Sequence, residues 1–213
     1  MVLALENQGI LMTTAVRSVS RAQEIQTELL RKSIHLMVGA APVLASISLP
    51  ATEGLLILGL IIFTGAESLR LQGRELPVIT RLTRAASRNR DRDRAVLGPI
   101  TLGLGALVCL MLYPEPAASV GIYALAFGDG LSSVVGKLFG QIRLPFTGGK
   151  TLEGSLAAFG AIFWSVWWVG HDPLLAVWVA LAGTLLEVLP LEDLDNLVIP
   201  LGTALAFSIL VAS

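Results

Sequence analysis

Charged residues and cysteines are scarce in this sequence. Only 15% of its 213 residues are charged and 54% are apolar, and a soluble domain of this length rarely has so few charges. The single cysteine, Cys109, excludes an internal disulfide, and its place inside an apolar run favours a packing role. The first sixteen residues have no basic start, so we expect no cleavable signal. The composition indicates a polytopic membrane protein.

The charges are confined to a few stretches and leave long uncharged runs between them. A transmembrane helix needs roughly 17–25 mostly apolar residues. We predict about seven spans, at 34–50, 52–69, 96–113, 117–139, 152–169, 174–190 and 198–212. The predicted fold is all-α, with an N-terminal cytoplasmic or interfacial segment at 1–33 and one transmembrane catalytic domain at 34–213. From Arg17 onward, apolar residues at helical spacing predict a helix lying on the membrane surface.

The basic residues fall into three groups, and the predicted spans place all of them on one side. Four precede the first span, eight lie between the second and third, and three lie at the connection from the fourth span to the fifth, which accounts for all 15 Lys and Arg residues. Because basic residues collect in cytoplasmic loops, this pattern predicts a cytoplasmic N-terminus and an external C-terminus.

One stretch, residues 124–154, combines apolar flanks with glycines and charges. A charged side chain at bilayer depth costs on the order of 2.5–3.5 kcal/mol, so we expect Asp129 to have a functional role. Asp129 and Glu153, with Asp195 as a third carboxylate, would suit Mg²⁺, which usually takes one or two carboxylates plus phosphate oxygens. The structural alternative for Asp129 is an ion pair with Lys137 inside the membrane.

Two features suggest phosphate binding. Gly149-Lys-Thr151 is similar to the end of a P-loop, but Leu144 stands where that motif needs glycine, so a P-loop is excluded. Lys150 can still neutralise phosphate charge. The arginine-rich loop at 70–95 either anchors the topology in anionic lipid or binds phosphate. It has no interleaved aromatic residues, which argues against nucleic-acid binding.

Two polar pairs mark helix ends, and each has a structural and a functional interpretation. Arg31 and His35 lie one turn apart at the start of the first span and share a helix face. They are either a basic residue that ends the span at the membrane interface beside a hydrogen-bonded histidine, or functional groups. Glu67 and Arg70 close the second span as an ion pair or as part of a site.

Together these motifs resemble those of the membrane lipid-alcohol kinases, which include dolichol kinase, phytol kinase and the CTP-dependent diacylglycerol kinase. The resemblance runs from about Arg31 to the end of the chain. It comprises Arg31-Lys32-x-x-His35, Glu67-x-x-Arg70, Gly98-Pro99, Gly128-Asp129 with Gly136 and Gly140, Lys150-Thr-Leu-Glu-Gly154, and Glu187 followed by Asp195-Asn-Leu-Val-Ile-Pro200. The family is more distantly similar to phosphatidate cytidylyltransferase.

The resemblance implies a multi-pass membrane kinase that transfers a phosphoryl group from CTP to a lipid hydroxyl, with Mg²⁺, at the cytoplasmic face. CTP as the donor rests on the resemblance alone. We assign catalysis to Asp129, Lys150, Glu153 and His35, with His35 or a carboxylate accepting the alcohol proton. We assign Mg²⁺ to Asp129, Glu153 and Asp195. We assign nucleotide binding to Arg31, Lys32, Gly128, Gly130, Lys137 and Asn196.

Two other functions stay open at this point. One is cytidylyl transfer from CTP to phosphatidate, and the other is a non-enzymatic transporter. The sequence has no internal repeat and its polar groups crowd one side, which favours chemistry at a surface over transport. The expected partners are a lipid alcohol (phytol, polyprenol or dolichol, or diacylglycerol), a nucleoside triphosphate and membrane lipid, without nucleic acid. Homo-oligomerisation and the identity of the membrane are left open.

Overall fold

The computed structural model describes residues 25–74 and 95–212. Within these ranges the chain is all-helical and forms no strand, which confirms the predicted fold class. Most of the arginine-rich loop, residues 75–94, lies outside the described residues, and so does the start of the predicted surface helix at Arg17. The choice between lipid anchor and phosphate site for that loop therefore stays open.

The described residues form nine α-helices. α1 occupies 25–38, and the others are α2 Ala41–Ile47, α3 Leu49–Leu71, α4 Gly98–Leu112, α5 Ala117–Tyr123, α6 Gly130–Phe139, α7 Leu152–Gly170, α8 Pro173–Val188 and α9 Asp195–Ala212. A π-helical segment, Ala124–Asp129, joins α5 to α6, and a 3₁₀ turn, Glu192–Leu194, precedes α9.

Four helical stretches of the described chain are long and apolar enough to cross a membrane. They are Leu49–Leu71, Ala117–Phe139, Leu152–Gly170 and Glu192–Ala212. Two further apolar helices, Gly98–Leu112 and Pro173–Val188, coincide with predicted spans but are shorter. This architecture fits an integral membrane protein. The total of seven crossings and the orientation stay predictions.

The predicted first span, 34–50, is broken in the structure. α1 ends at residue 38, and the seven-residue α2 begins after a turn at Gly39 and Ala40. A Cβ atom on Gly39 would lie 3.2 Å from Ala126 and from Phe127, so glycine lets the end of α1 approach the π-helical segment. Ser48 then interrupts the helix again, and its hydroxyl accepts the first cap bond of α3. The prediction of one continuous helix here was wrong.

The charged face of α1 lies against the protein. Glu28 and Lys32 are only 4% and 3% exposed, while Leu29 between them is 46% exposed. Burying charged groups costs several kcal/mol each unless they are paired, so these two residues must find partners on neighbouring helices. The helical spacing indicated an amphipathic α1 but could not reveal that its charged side packs against the protein.

α4, α5 and α9 pack closely where Pro200 interrupts α9. Proline has no N–H, so the carbonyl oxygen of Asn196, four residues earlier, receives no helical hydrogen bond. Gly105 packs against this oxygen so closely that a Cβ atom would lie 2.0 Å from it. Gly121 approaches the Pro200 carbonyl in the same way, and buried Cys109 packs beside it, as predicted. This contact, typical of small residues in membranes, fixes the beginning of α9 against α4.

Candidate active site

Asp129 ends the π-helical segment and is buried, with 3% of its surface exposed. Both of its partners come from α1. The Lys32 ammonium donates a hydrogen bond to Asp129 Oδ2, and His35 Nδ1 lies 3.1 Å from the same oxygen. π-helical turns often occur at functional sites because they redirect side chains within a helix. The alternative pairing of Asp129 with Lys137 was wrong.

Lys137 pairs with Glu28. Its ammonium lies 2.5 Å from Glu28 Oε2, and an Arg31 guanidinium nitrogen lies 2.5 Å from Glu28 Oε1. Burial alone would raise the pKa of Glu28, but the charges of Arg31 and Lys137 hold that pKa below its ordinary value. Lys137, assigned to the nucleotide from sequence, thus clamps α6 to α1 in the structure.

Ser132, in the first turn of α6, connects Asp129 with Glu187 at the end of α8. Its hydroxyl lies 3.0 Å from Glu187 Oε1 and 3.2 Å from the Asp129 carbonyl oxygen. Lys150 Nζ lies 3.1 Å from the same Glu187 Oε1, although without the alignment of a hydrogen bond. Glu187 is 3% exposed, and its Oε2 has no partner within the described chain. These contacts form one continuous polar cluster that extends from α1 to α8.

Glu187 and Ser132 were not among the assigned site residues. Glu187 stands in the motif that carries the family resemblance, so that motif was the available signal. Ser132 follows Asp129 by three residues and therefore shares its helix face, which is a weaker signal.

A short hairpin between α6 and α7 positions Lys150. The Leu144 N–H donates to the Lys150 carbonyl, and the Leu152 N–H donates to the Ile142 carbonyl, both at 2.9 Å. Gly148 and Gly149 make the turn with φ angles of 72° and 100°, which glycine adopts without steric cost. Lys150 therefore extends from a constrained loop, although the loop is no P-loop.

The structure does not bring Glu153 to Asp129. The Glu153 carboxylate accepts the backbone N–H of Ile142 at 3.2 and 3.4 Å, which ties the hairpin to the first turn of α7. Across residues 25–74 and 95–212, no three His, Cys, Asp or Glu side chains lie close enough together to hold a metal ion. The predicted set of Asp129, Glu153 and Asp195 is thus not assembled as one metal site.

Asp195, the first residue of α9, does face the cluster. It lies within electrostatic range of Asp129, Lys32, Lys150 and Arg31. Within the described residues no hydrogen bond or ion pair reaches its carboxylate. Its place beside both the buried acid and the cations agrees with the sequence assignment to the site.

Asn196 links α9 to α4. Its Nδ2 donates to the Gly98 carbonyl at 3.2 Å and to Thr101 Oγ1 at 2.9 Å. Gly128 packs on Ile162 of α7, where a Cβ atom would lie 2.8 Å away. Gly128 therefore has a packing role, and Asn196 connects two helices, in addition to any ligand contact.

Gly130, also assigned to the nucleotide, packs near Leu36 of α1, since a Cβ atom there would lie 3.6 Å from the leucine side chain.

The contacts of Glu67 and Arg70 favour the structural interpretation of this pair. Arg70 donates two hydrogen bonds to Glu67, at 2.8 and 2.7 Å, and Glu67 Oε1 also accepts the Val96 N–H at 2.7 Å. This pair connects the end of α3 with the approach to α4.

Several buried polar atoms at the site have no hydrogen-bond partner in the described chain. The donors are Arg31 Nε and Lys150 Nζ, and the acceptors are Glu187 Oε2 and Asn196 Oδ1. Buried polar groups are normally paired. Guanidinium and ammonium groups suit phosphate oxygens, and the Asp129 and Asp195 carboxylates suit Mg²⁺. The residues present therefore fit a polyphosphate accompanied by a divalent cation.

The fold and site define a helical membrane protein with buried carboxylates and cations gathered at one end of its helices. No protein-family model and no solved structure matches the chain. Curated relatives do match, and they are lipid-alcohol kinases. A probable chloroplastic phytol kinase of Triticum aestivum is 28% identical over 225 residues, covering 92% of this chain and 74% of the relative.

A chloroplastic farnesol kinase of Arabidopsis thaliana is 28% identical over 201 residues, covering 84% of this chain and 64% of the relative. Dolichol kinase EVAN of Arabidopsis thaliana is 27% identical over 210 residues, covering 86% of this chain and 36% of the relative. The resemblance to the lipid-alcohol kinases that the motifs indicated is confirmed.

Proposed function

We propose that this chain is a membrane kinase that transfers the terminal phosphoryl group of CTP to a lipid alcohol at the cytoplasmic face. The observation that carries the proposal is the cluster of buried Asp129 with Lys32, together with the nearby cations Arg31 and Lys150, whose Nε and Nζ atoms make no hydrogen bond in the described chain. The similarity to phytol, farnesol and dolichol kinases supports a lipid alcohol as the acceptor.

Each residue of the cluster has a part in this reaction. Phosphoryl transfer depends mainly on positioning and on neutralising the charge that is spread over the phosphate oxygens. Arg31 Nε makes no hydrogen bond in the described chain, and the Lys150 ammonium, although close to Glu187, makes none of good alignment, so both can donate to phosphate oxygens. Lys32 is engaged with Asp129 and holds that carboxylate in place.

Mg²⁺ would supply positive charge that neutralises the donor phosphates. Asp129 and Asp195 are the carboxylates that we propose hold it. Both protein contacts to Asp129 go to Oδ2, and the Asp195 carboxylate is unbonded in the described chain. Glu153 keeps its bond to the hairpin in this scheme. The apolar acceptor reaches the cluster from the bilayer between helices.

Labelled nucleotide tests the proposal. Purified protein is given CTP labelled at the γ- or the α-phosphate, together with phytol, farnesol, a polyprenol, diacylglycerol or phosphatidate. We expect γ-label to enter the lipid fraction with a free alcohol, and CDP to be released. Label that enters only from the α-position, only with phosphatidate and with release of pyrophosphate, contradicts the kinase and supports the cytidylyltransferase. Parallel reactions with ATP test the nucleotide.

A pair of variants ties the activity to the cluster. Asp129→Asn should abolish transfer while the protein still inserts and accumulates. Asp172→Asn is the matched control at the opposite end of the helices, where Asp172 caps α8 by accepting two backbone N–H groups. Asparagine caps helices about as well as aspartate, so this control should keep wild-type activity. Equal activity in both variants would remove Asp129 from the site.

A further inference from the structure

We propose that Glu187 accepts the proton of the lipid alcohol during phosphoryl transfer. The proposal rests on the kinase function proposed above. One carboxylate oxygen of Glu187 is held by the protein, since Ser132 Oγ lies 3.0 Å from it and Lys150 Nζ lies 3.1 Å from it. The other oxygen, Oε2, is buried and has no partner in the described chain.

The other acidic groups near the cluster have other roles, and the unbonded Asp195 carboxylate is the one assigned to Mg²⁺ in the proposed function. Asp129 contacts Lys32 and His35, and Glu28 is held between Arg31 and Lys137. Glu153 accepts a backbone N–H from the hairpin. Among the described residues, Glu187 Oε2 is the carboxylate oxygen that is fully buried and has no hydrogen-bond partner.

His35 is the other candidate that the sequence left open. Its Nδ1 lies against Asp129 Oδ2, and its ring is close to the Lys32 ammonium. A neighbouring cation disfavours taking up a second positive charge. His35 is therefore better suited to positioning Asp129 than to accepting a substrate proton.

A second buried polar group without a partner lies at the level of Glu187. α7 and α8 are antiparallel and are joined through His171 and Asp172 alone, so Ser155 near the start of α7 lies at the level of Glu187 near the end of α8. The Ser155 hydroxyl is buried and also has no partner in the described chain. An alcohol bound at this level could donate its proton to Glu187 Oε2 and accept a hydrogen bond from Ser155.

The proposed step balances as follows. The alcohol oxygen forms a bond to the γ-phosphorus, and the bond from that phosphorus to the β,γ-bridging oxygen breaks. The nucleoside diphosphate leaves with the electron pair, and the alcohol proton passes to Glu187 Oε2. The products are a lipid monophosphate and the diphosphate, and the proton on Glu187 is then released to solvent. Lys150, next to Glu187 Oε1, is placed to neutralise the phosphoryl oxygens close to this proton transfer.

Glu187→Gln is the direct test, because glutamine keeps the shape and can still accept a hydrogen bond from Ser132. Losing a general base typically costs 10²–10⁴-fold, so we expect kcat to fall by about that factor. The KM for nucleotide should change by less than about threefold. The matched control is Glu115→Gln at the opposite end of the helices, where Glu115 also accepts a hydrogen bond from a serine, Ser119, at 2.5 Å. That control should stay active.

The acidity of the substrate alcohol distinguishes a Glu187 that accepts a proton from a Glu187 that is merely structural. Two primary alcohols of equal chain length are compared, one with fluorine on the carbon beside the carbinol. The fluorinated alcohol is more acidic and needs a base less, so the deficit of Glu187→Gln should shrink by at least tenfold with it. An equal deficit with both alcohols, or wild-type kcat in the variant, overturns the proposal and leaves the kinase function standing.

Two further measurements distinguish failure of the kinase function from failure of the role proposed for Glu187. If wild-type protein transfers no phosphoryl group to any alcohol, the proposed function fails, and the role of Glu187 fails with it. If Glu187→Gln binds no nucleotide in a thermal-shift assay, Glu187→Asp replaces it. That variant retracts the carboxylate by one methylene and should show the same dependence on acceptor acidity with a smaller amplitude. No such dependence in Glu187→Asp also refutes the proposal.

Discussion

The buried pair of Lys32 and Asp129 gives the sharpest prediction. Each residue is 3% exposed, so removal of one partner leaves the other as a buried unpaired charge, at a cost of about 3–5 kcal/mol. His35, 3.1 Å from Asp129 Oδ2, can partly compensate by protonation, which places Lys32→Met near the lower end of that range. Asp129→Asn leaves the Lys32 ammonium without a carboxylate, and its cost should lie near the upper end.

The double variant Lys32→Met/Asp129→Asn should recover most of the lost stability, because replacing both members of a buried ion pair is often neutral. For a protein of this size 1 kcal/mol corresponds to about 2–4 °C in Tm, so each single variant should lose roughly 6–20 °C. Thermal unfolding in detergent micelles, followed by tryptophan fluorescence, measures this. Transfer to lipid alcohol is measured on the same samples, and the double variant should be stable but inactive.

The same set of single and double variants, made for Glu28 and Lys137, serves as the control double-mutant cycle. Lys137 is 45% exposed, and buried Glu28 keeps Arg31 as a second cation. Removing Lys137 therefore leaves no buried charge without a partner, so the coupling of Glu28 with Lys137 should be smaller than that of Lys32 with Asp129. A double variant of Lys32 and Asp129 that is no more stable than either single one would show that the pair is not a structural unit. An active double variant would show that the Asp129 carboxylate is not needed for transfer.

Two other predictions follow from helix packing and from charge distribution. Gly105→Ala should lower both Tm and activity, because its Cβ would lie 2.0 Å from the Asn196 carbonyl and would have to move by roughly 1.4 Å to reach ordinary contact at 3.4 Å. Gly160→Ala, with nothing within 4 Å of its Cβ, is the control, and a larger loss there than at Gly105 would contradict the packing. For topology, a reporter fused after Ser213 should behave as extracytoplasmic, and a cytoplasmic signal would mean an even number of crossings.

The sequence could place the assigned residues along their own helices but not the lateral contacts between helices. Asp129, Lys150 and Asp195 were expected at one end of the helices, and the structure places Asp195 within electrostatic range of both Asp129 and Lys150. The partner of Asp129 could not be deduced, because Lys32 is 97 positions away and helical periodicity says nothing about which helices are neighbours. The candidate on the same helix, Lys137, was therefore the natural alternative, and it was wrong.

Two local features escaped the sequence analysis for different reasons. The π-helical segment Ala124–Asp129 departs from the α-helical repeat, and no residue in it distinguishes a π turn from an α turn. The break after α1 had signals, since Gly39 and Pro42 lie inside the predicted first span, but hydropathy over a window averages them out. The bond between Glu153 and the hairpin was likewise not predictable, because a carboxylate in the first turn of a helix serves equally well as a ligand and as an acceptor for nearby N–H groups.

The long separation of α1 from its partners has a consequence during synthesis. Lys32 and Glu28 are joined to Asp129 and Lys137, which follow them by 97 and 109 residues. At about 5–20 residues per second, the ribosome needs on the order of 5–20 s to reach those partners. Over that interval α1 cannot settle between the other helices without burying uncompensated charge. We therefore expect α1 to stay at the water boundary and to dock only after α6 has been inserted, so α1 completes the candidate cluster late.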